Sequence, residues 1–272
     1  MKFTFLGTAA AEGFPAIFCN CQYCQQARRK GGKNLRTRSQ AIIDGTLLID
    51  YPADSYFHAL KGEFRFDKVR TLLFTHSHSD HCYPEDLKLH CGGYSHNPEA
   101  QTLHVYCGKS VYDKILSNFG KDYVDGVELH VIKAYETFKA DEFTITPLPA
   151  RHEDALIYIV KKDNKQILYA NDTGYFFEEV FDYIQKNQLH FDFVSYDCTN
   201  VNIPITDEGR HMGLPNIVRV MDRLIGIGAI DEATIQFITH FSHNANPDHD
   251  TLEQIAAPLG LKVAYDGLTV KI

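Results

Sequence analysis

Within residues 69–82, Val-Arg-Thr-Leu-Leu-Phe-Thr-His-Ser-His-Ser-Asp-His-Cys, an apolar run stops and His76, His78, Asp80 and His81 follow within six positions. Imidazole and carboxylate at that density suit a divalent cation of hard to borderline character such as zinc, manganese or iron. His76 and His78 stand two apart, so an extended backbone points both the same way, and Asp80 and His81 join as the chain turns. A second donor set lies nearer the N-terminus. Cys19-Asn20-Cys21-Gln22-Tyr23-Cys24 spaces three thiols as C-x-C-x-x-C, which supplies three corners of a tetrahedral zinc and calls for a fourth ligand.

Ligands on such a motif need strands that end where the histidines begin. Phe3–Leu6 reads as a first strand, closed by Gly7 and a small-residue loop. Gln40–Ile43 and Thr46–Asp50 form a hairpin about Asp44-Gly45. A short helix is expected over Ala53–Leu60, and another beginning at Pro84–His90 with proline in its first turn. Leu103–Cys107 is a strand and Lys109–Phe119 a helix. Strands follow at Val127–Val131, Phe143–Leu148, Leu156–Val160 and Gln166–Ala170. Phe176–Gln188 is a helix whose Phe177, Val180, Phe181 and Ile184 recur at helical spacing and belong to a core. The pattern continues with strand Phe191–Tyr196, helix Gly213–Ile225, strand Ile235–His240 and helix Asp248–Ala257. A last hairpin, Lys262–Ala264 with Leu268–Lys271, is expected about Asp266-Gly267. Strands in two groups, each with helices, predict an α+β fold of two sheets packed face to face with helices outside.

The run Thr75-His76-Ser77-His78-Ser79-Asp80-His81 resembles the H-x-H-x-D-H signature of the metallo-β-lactamase superfamily. The resemblance implies an α/β/β/α sandwich and further ligands downstream, which match His152 in Pro149-Ala150-Arg151-His152, Asp172 in Tyr169-Ala170-Asn171-Asp172-Thr173-Gly174, and His240 in Phe237-Ile238-Thr239-His240. On the family pattern His76, His78 and His152 bind one metal, Asp80, His81 and His240 a second, and Asp172 bridges them. A metal pair about 3.5–4 Å apart can hold a bridging hydroxide, so the implied reaction is hydrolysis. Asp50, at the end of its strand, matches the place of an aspartate that orients the ligands.

Asp207-Glu208-Gly209-Arg210-His211-Met212-Gly213, taken with the cysteine knuckle and Thr239-His240-Phe241-Ser242-His243, looks like the PhnP-type cyclic-phosphate phosphodiesterases and, more distantly, the tRNA 3′-processing nucleases. That likeness implies a small, cyclic phosphodiester as substrate and a histidine at His211 that assists the leaving oxygen. His243, three residues after a ligand, is the expected fourth partner of Cys19, Cys21 and Cys24 around a structural zinc, with His249 as fallback. Rival readings are a lactonase, a thioester hydrolase, an RNA-processing nuclease, and a relative of the pyrroloquinoline quinone (PQQ) assembly proteins using iron for oxygen chemistry.

The chain has 272 residues, 44% of them hydrophobic, and the ligand span from His76 to His240 favours one domain over 1–272 with the knuckle loop at about 16–38. A net charge of −8 argues against an extended nucleic-acid surface. Seven cysteines, an odd number, speak for metal ligands rather than a disulfide framework. With no membrane-length apolar run and no signal peptide, a cytoplasmic location is expected, and a homodimer is allowed for. Arg28, Arg29, Lys30, Lys33, Arg36 and Arg38 crowd into residues 28–38. The expectation is a solvated basic face, with attraction of a substrate phosphate as the lesser reading.

Overall fold

The computed structural model describes residues 1–62, 64–90, 92–96, 102–120, 126–245 and 247–272. In chain order the first half runs β1 (Lys2–Gly7), α1 (Gln22–Lys30), β2 (Gln40–Ile43), β3 (Leu47–Ile49), α2 (Ser55–Leu60), β4 (Thr71–Leu73), β5 (Leu103–Cys107), α3 (Lys109–Phe119) and β6 (Val127–Val131). The second half runs β7 (Phe138–Ala140), β8 (Phe143–Pro149), β9 (Leu156–Lys162), β10 (Lys165–Ala170), α4 (Glu178–Lys186), β11 (Phe193–Asp197), α5 (Leu214–Gly226), β12 (Ile235–Thr239), α6 (His249–Ala256), β13 (Lys262–Val263) and β14 (Thr269–Lys271).

These strands form two seven-stranded sheets, ordered β14-β1-β2-β3-β4-β5-β6 and β13-β12-β11-β10-β9-β8-β7. Between the sheets lies an aromatic-rich core in which Phe3 meets Phe193 at 4.7 Å and Phe5 meets Phe237 at 5.3 Å between ring centres. Behind the first sheet, Val111, Ile115 and Phe119 of α3 cover Leu72, Phe74 and Val105. Behind the second, α4, α5 and α6 cover Leu168, Val194 and Ile238. The layering is the α/β/β/α sandwich that the motifs imply.

Pairing sense brings the ligand-bearing ends to one rim. β3 and β4 are parallel, as are β10, β11 and β12, and β8 runs in the sense of β10 because β9 lies antiparallel to both. The residues that follow these strands therefore emerge together.

Most expected elements stand, and the exceptions have physical reasons. Asp44 (φ 50°) and Gly45 (φ 76°) make the left-handed pair that a two-residue hairpin needs. Pro84–His90 is a 3₁₀ helix rather than an α-helix. The segment about 16–38 carries a helix, α1, whose N-cap is Cys21: its sulfur accepts from the amide of Cys24. The C-terminal hairpin is a correction. β13 pairs with β12 in the second sheet while β14 pairs with β1 in the first, so the chain crosses between sheets at Asp266-Gly267. Asp266 serves there as a buried acceptor, taking hydrogen bonds from the hydroxyls of Thr8 and Thr37 and the amide of Thr37, each at 2.6 Å.

The basic run divides: Arg28, Arg29, Lys30 and Lys33 are exposed, as a solvated face requires, whereas Arg36 is not. Arg36 is buried, donates to Thr8 and to the carbonyl of Ala264, and lies over the Phe241 ring at 4.5 Å. Arg38 pairs with Asp54, Lys30 with Asp248 and Lys33 with Glu253, while Arg28 donates to the carbonyl of Cys19. These cations stitch the N-terminal segment to the body of the protein.

Candidate metal centre

His76, His78, Asp80 and His81 leave the end of β4, His152 follows β8, Asp172 follows β10 and His240 follows β12. The structure gathers all seven into two adjoining clusters, His76–His78–His152 and Asp80–His81–Asp172–His240, with donor atoms within 4.8 Å of one another in each. Three rim residues reach in from the left-handed region: Asp50 at φ 64°, Asp172 at φ 55° and His240 at φ 63°. Such a conformation costs non-glycine residues roughly 1–3 kcal/mol each, held only where the surroundings dictate it.

The hydrogen bonds around the rings decide which nitrogen each presents. His81 Nδ1 lies 2.7 Å from Asp50 Oδ2, an acceptor only, so Nδ1 donates and Nε2 faces inward with its lone pair. Thr75 Oγ1 donates to Asp50 and therefore accepts from His76 Nδ1 at 3.0 Å. Thr199 Oγ1 donates to Asp197 and accepts from His240 Nδ1 at 2.8 Å. His78 uses the other edge, with Nε2 donating to Glu153 at 3.1 Å and Nδ1 turned inward.

The inward nitrogens of His76, His81 and His240 are buried without a hydrogen bond. Orphaned buried acceptors are costly, and here they face one another. A tetrahedral ion with bonds of about 2.0–2.1 Å has ligand-to-ligand edges of about 3.3 Å. The separations here are 3.2 Å for His78 Nδ1–His152 Nε2, 3.2 Å for His81 Nε2–Asp80 Oδ2, and 3.5 and 3.4 Å from Asp172 Oδ2 to the Nε2 atoms of His76 and His240. His81 Nε2 approaches Asp172 Oδ2 more closely, at 2.5 Å. The residues fit divalent cations, with Asp172 Oδ2 between the two clusters.

Electrostatics agree. Burial and the neighbouring His81 charge depress His76 to about 2. Burial opposes charging His81, yet the carboxylates of Asp172 and Asp50 push it well above the usual histidine range. Burial also works against an ionised Asp172, but His240 and His81 hold it well below the usual carboxylate range. A cation entering this set competes with protons, so metal affinity falls as pH falls. Asp50→Asn removes the carboxylate that takes the proton of His81, and metal affinity should drop about 10- to 100-fold in a competition titration with a chelator. Unchanged affinity would show that Asp50 serves folding alone.

His211 stands at the lip. Its Nδ1 lies 2.8 Å from Asp197 Oδ2 and 3.1 Å from Asp172 Oδ1, and its ring stacks on His240 at 5.5 Å. Burial opposes protonation, but Asp197 and Asp172 raise His211 to about 11. The loop carrying it packs backbone to backbone on the loop after Asp172: a Cβ at Gly174 would sit 1.8 Å from the Gly209 carbonyl.

Asp197, Thr199 and Glu153 are functional neighbours that the sequence reading passed over. Asp197 is fully buried and takes hydrogen bonds from Thr173 N, Thr199 N and the Thr199 hydroxyl. A signal existed, since an aspartate closing a buried apolar strand is the same mark that picked out Asp50.

Cys19, Cys21, Cys24 and His243 also come together, with Cys21 Sγ 3.7 Å from His243 Nδ1. Bonds of about 2.3 Å to sulfur and 2.0 Å to nitrogen give a tetrahedral S···N edge of about 3.5 Å. Backbone amides of Cys21, Cys24 and Ala16 donate to the sulfurs of Cys19, Cys21 and Cys24. The Cys24 amide, with His243, lowers the Cys21 thiol to about 6, while burial raises Cys24 to about 11. The fallback ligand His249 is engaged elsewhere, with Arg36 and Glu253. A Cys24→Ala protein should lose one equivalent of zinc and melt roughly 5–10 °C lower, the scale of a few kcal/mol in a protein of this size. Unchanged zinc content and melting would remove the structural ion from the account.

Histidines outside these clusters include both packed and surface residues. His58 is packed, bonded to Gln40 and Thr37, whereas His190 pairs with Asp231 at the surface. Among the described residues no helix is long and apolar enough to cross a membrane.

Residues 47–241 match the family profile of the beta-lactamase superfamily domain. Coenzyme PQQ synthesis protein B of Acinetobacter baumannii (strain ACICU) is 24% identical over an alignment of 315 positions that covers all of both chains. A crystal structure of a diphosphatase from the PhnP family superposes with a TM-score of 0.77 at 22% identity, covering 100% of this chain and 97% of that one. Zinc-bound PqqB from Methylobacterium extorquens gives 0.73 at 17% identity, with full coverage of both chains.

Proposed function

The chain belongs to the beta-lactamase superfamily, and from that premise we propose that it is a dinuclear metal hydrolase of small phosphodiesters, cyclic ones foremost. The observation that carries this reading is the His211–Asp197 pair set beside the ligand clusters. On this reading His76, His78 and His152 would hold one cation and Asp80, His81 and His240 the other, with Asp172 placed between the two sets. When bound, the cation pair supplies an activated water and positive charge against the oxygens of the phosphoryl group. The chain's own contribution is orientation and proton delivery. Asp197 occupies Nδ1 of His211, which leaves Nε2 to meet the leaving oxygen of a diester. An alkoxide leaves poorly without a proton, so a fixed imidazole at this point suits an alkyl or ribose-type phosphodiester.

A second reading draws on the whole-length likeness to the PQQ synthesis protein; on that reading the same residues of this chain would hold iron and serve oxygen chemistry. Protein reconstituted separately with zinc, manganese and iron separates the two. We expect turnover of cyclic and linear phosphodiesters, or of diphosphates, above that of lactones and thioesters. Iron-dependent oxygen uptake without phosphodiester cleavage would select the second reading, and lactone or thioester cleavage alone would reject both.

A further inference from the structure

We propose that His104, Glu128 and His130 form a further metal site, separate from both sets above, that takes a zinc-class divalent cation at the edge of the first sheet. β5 and β6 run parallel with His104 opposite Glu128 and Tyr106 opposite His130, which puts all three donors on one face. Leu103, Val105 and Cys107, the alternate residues of β5, turn to the opposite face and pack in the core beneath α3. Among the described residues β6 is the last strand of its sheet.

The donors converge on a point. His104 Nδ1 lies 3.2 Å from His130 Nε2 and 3.3 Å from Glu128 Oε2, and His130 Nε2 lies 3.8 Å from the same oxygen. These edges bracket the roughly 3.3 Å expected around a tetrahedral ion, and resemble those among the ligands of the metal centre. Hydrogen bonding alone satisfies this triangle poorly. One ring N–H can serve one of its two neighbours well, whereas a cation serves all three donors at once.

The site is also held in shape. His130 stacks on Tyr106 at 4.5 Å and 17°, and Tyr106 stacks on Phe138 at 4.5 Å and 18°, which fixes the imidazole plane. The three side chains are 38–53% exposed. That leaves room for water to complete the coordination, as at sites with three protein ligands. Bound metal would clip the edge strand to its neighbour.

The test is a Zn²⁺ titration of the metal-loaded protein by calorimetry, with metal content measured after desalting. Wild type should take up one further equivalent, and His104→Ala should lose it or bind at least about tenfold more weakly. Its melting temperature without added zinc should match wild type, because the His130–Tyr106 stack is untouched, while any rise on adding zinc should disappear. Glu128→Gln is the second variant and should weaken uptake in the same way. Cu²⁺ in place of Zn²⁺ should give an electron paramagnetic resonance signal with coupling to two imidazole nitrogens, a pattern lost in His104→Ala. Equal stoichiometry and affinity in wild type and both variants would reduce the cluster to a hydrogen-bonded histidine pair and overturn the proposal.

Discussion

Asp172→Asn should strip metal from both clusters and lower kcat/KM by about 10²- to 10³-fold, the scale at which one charge-stabilising group acts in an active site. Asparagine is the informative replacement. Asp172 sits at φ 55°, a conformation that asparagine tolerates and alanine does not, so the change removes charge with little backbone penalty. The loss follows from position: Asp172 Oδ2 lies within 3.5 Å of the inward nitrogens of His76, His81 and His240. Without its charge, the inward nitrogens of His76 and His240 lose their anionic partner, His81 keeps Asp80 alone on that side, and cations held by the two clusters would lose their shared ligand. Metal analysis after dialysis and steady-state kinetics check this together. Full metal occupancy with activity within a few-fold of wild type would sink the bridging role.

His211→Ala should damage alkyl or ribose-type diesters by about 10²- to 10⁴-fold while sparing a nitrophenyl phosphodiester by comparison. A nitrophenolate leaves without help, whereas an alkoxide needs a proton as the bond breaks. Metal content should stay unchanged, because His211 engages the carboxylates of Asp197 and Asp172 rather than replacing a ligand of either cluster. Equal losses on both substrates would assign His211 to phosphate binding instead of proton donation. Asp197→Asn should reproduce a milder form of the same substrate difference, since Asp197 acts by fixing the ring and its tautomer.

The ligand motif at His76–His81 was legible in the sequence because it is local: a strand of period two runs into its donors with no fold needed to unite them. The downstream candidates His152, Asp172 and His240 came from the family resemblance, which the position of each just past an apolar, strand-like run accompanied. The α/β/β/α layering followed from strands and helices of clear period, and the Asp44-Gly45 turn from backbone chemistry carried by two residues.

What local pattern could not decide was partnership. Asp266-Gly267 announces a turn, but whether its flanking strands pair with each other or join different sheets depends on which edges the remaining strands leave open. Residues 28–38 announce positive charge, yet burying Arg36 on Phe241 and pairing Lys30 with Asp248 require segments more than 200 positions away. The same holds for the chemistry. Which nitrogen His81, His240 and His78 present was set by Asp50, Thr199 and Glu153, contributed by other loops, and the loop that brings His211 to Asp197 packs backbone to backbone at Gly174 and Gly209. Composition and spacing determined the donor types of the candidate metal centre; long-range packing determined where the lone pairs of His78, His81 and His240 point.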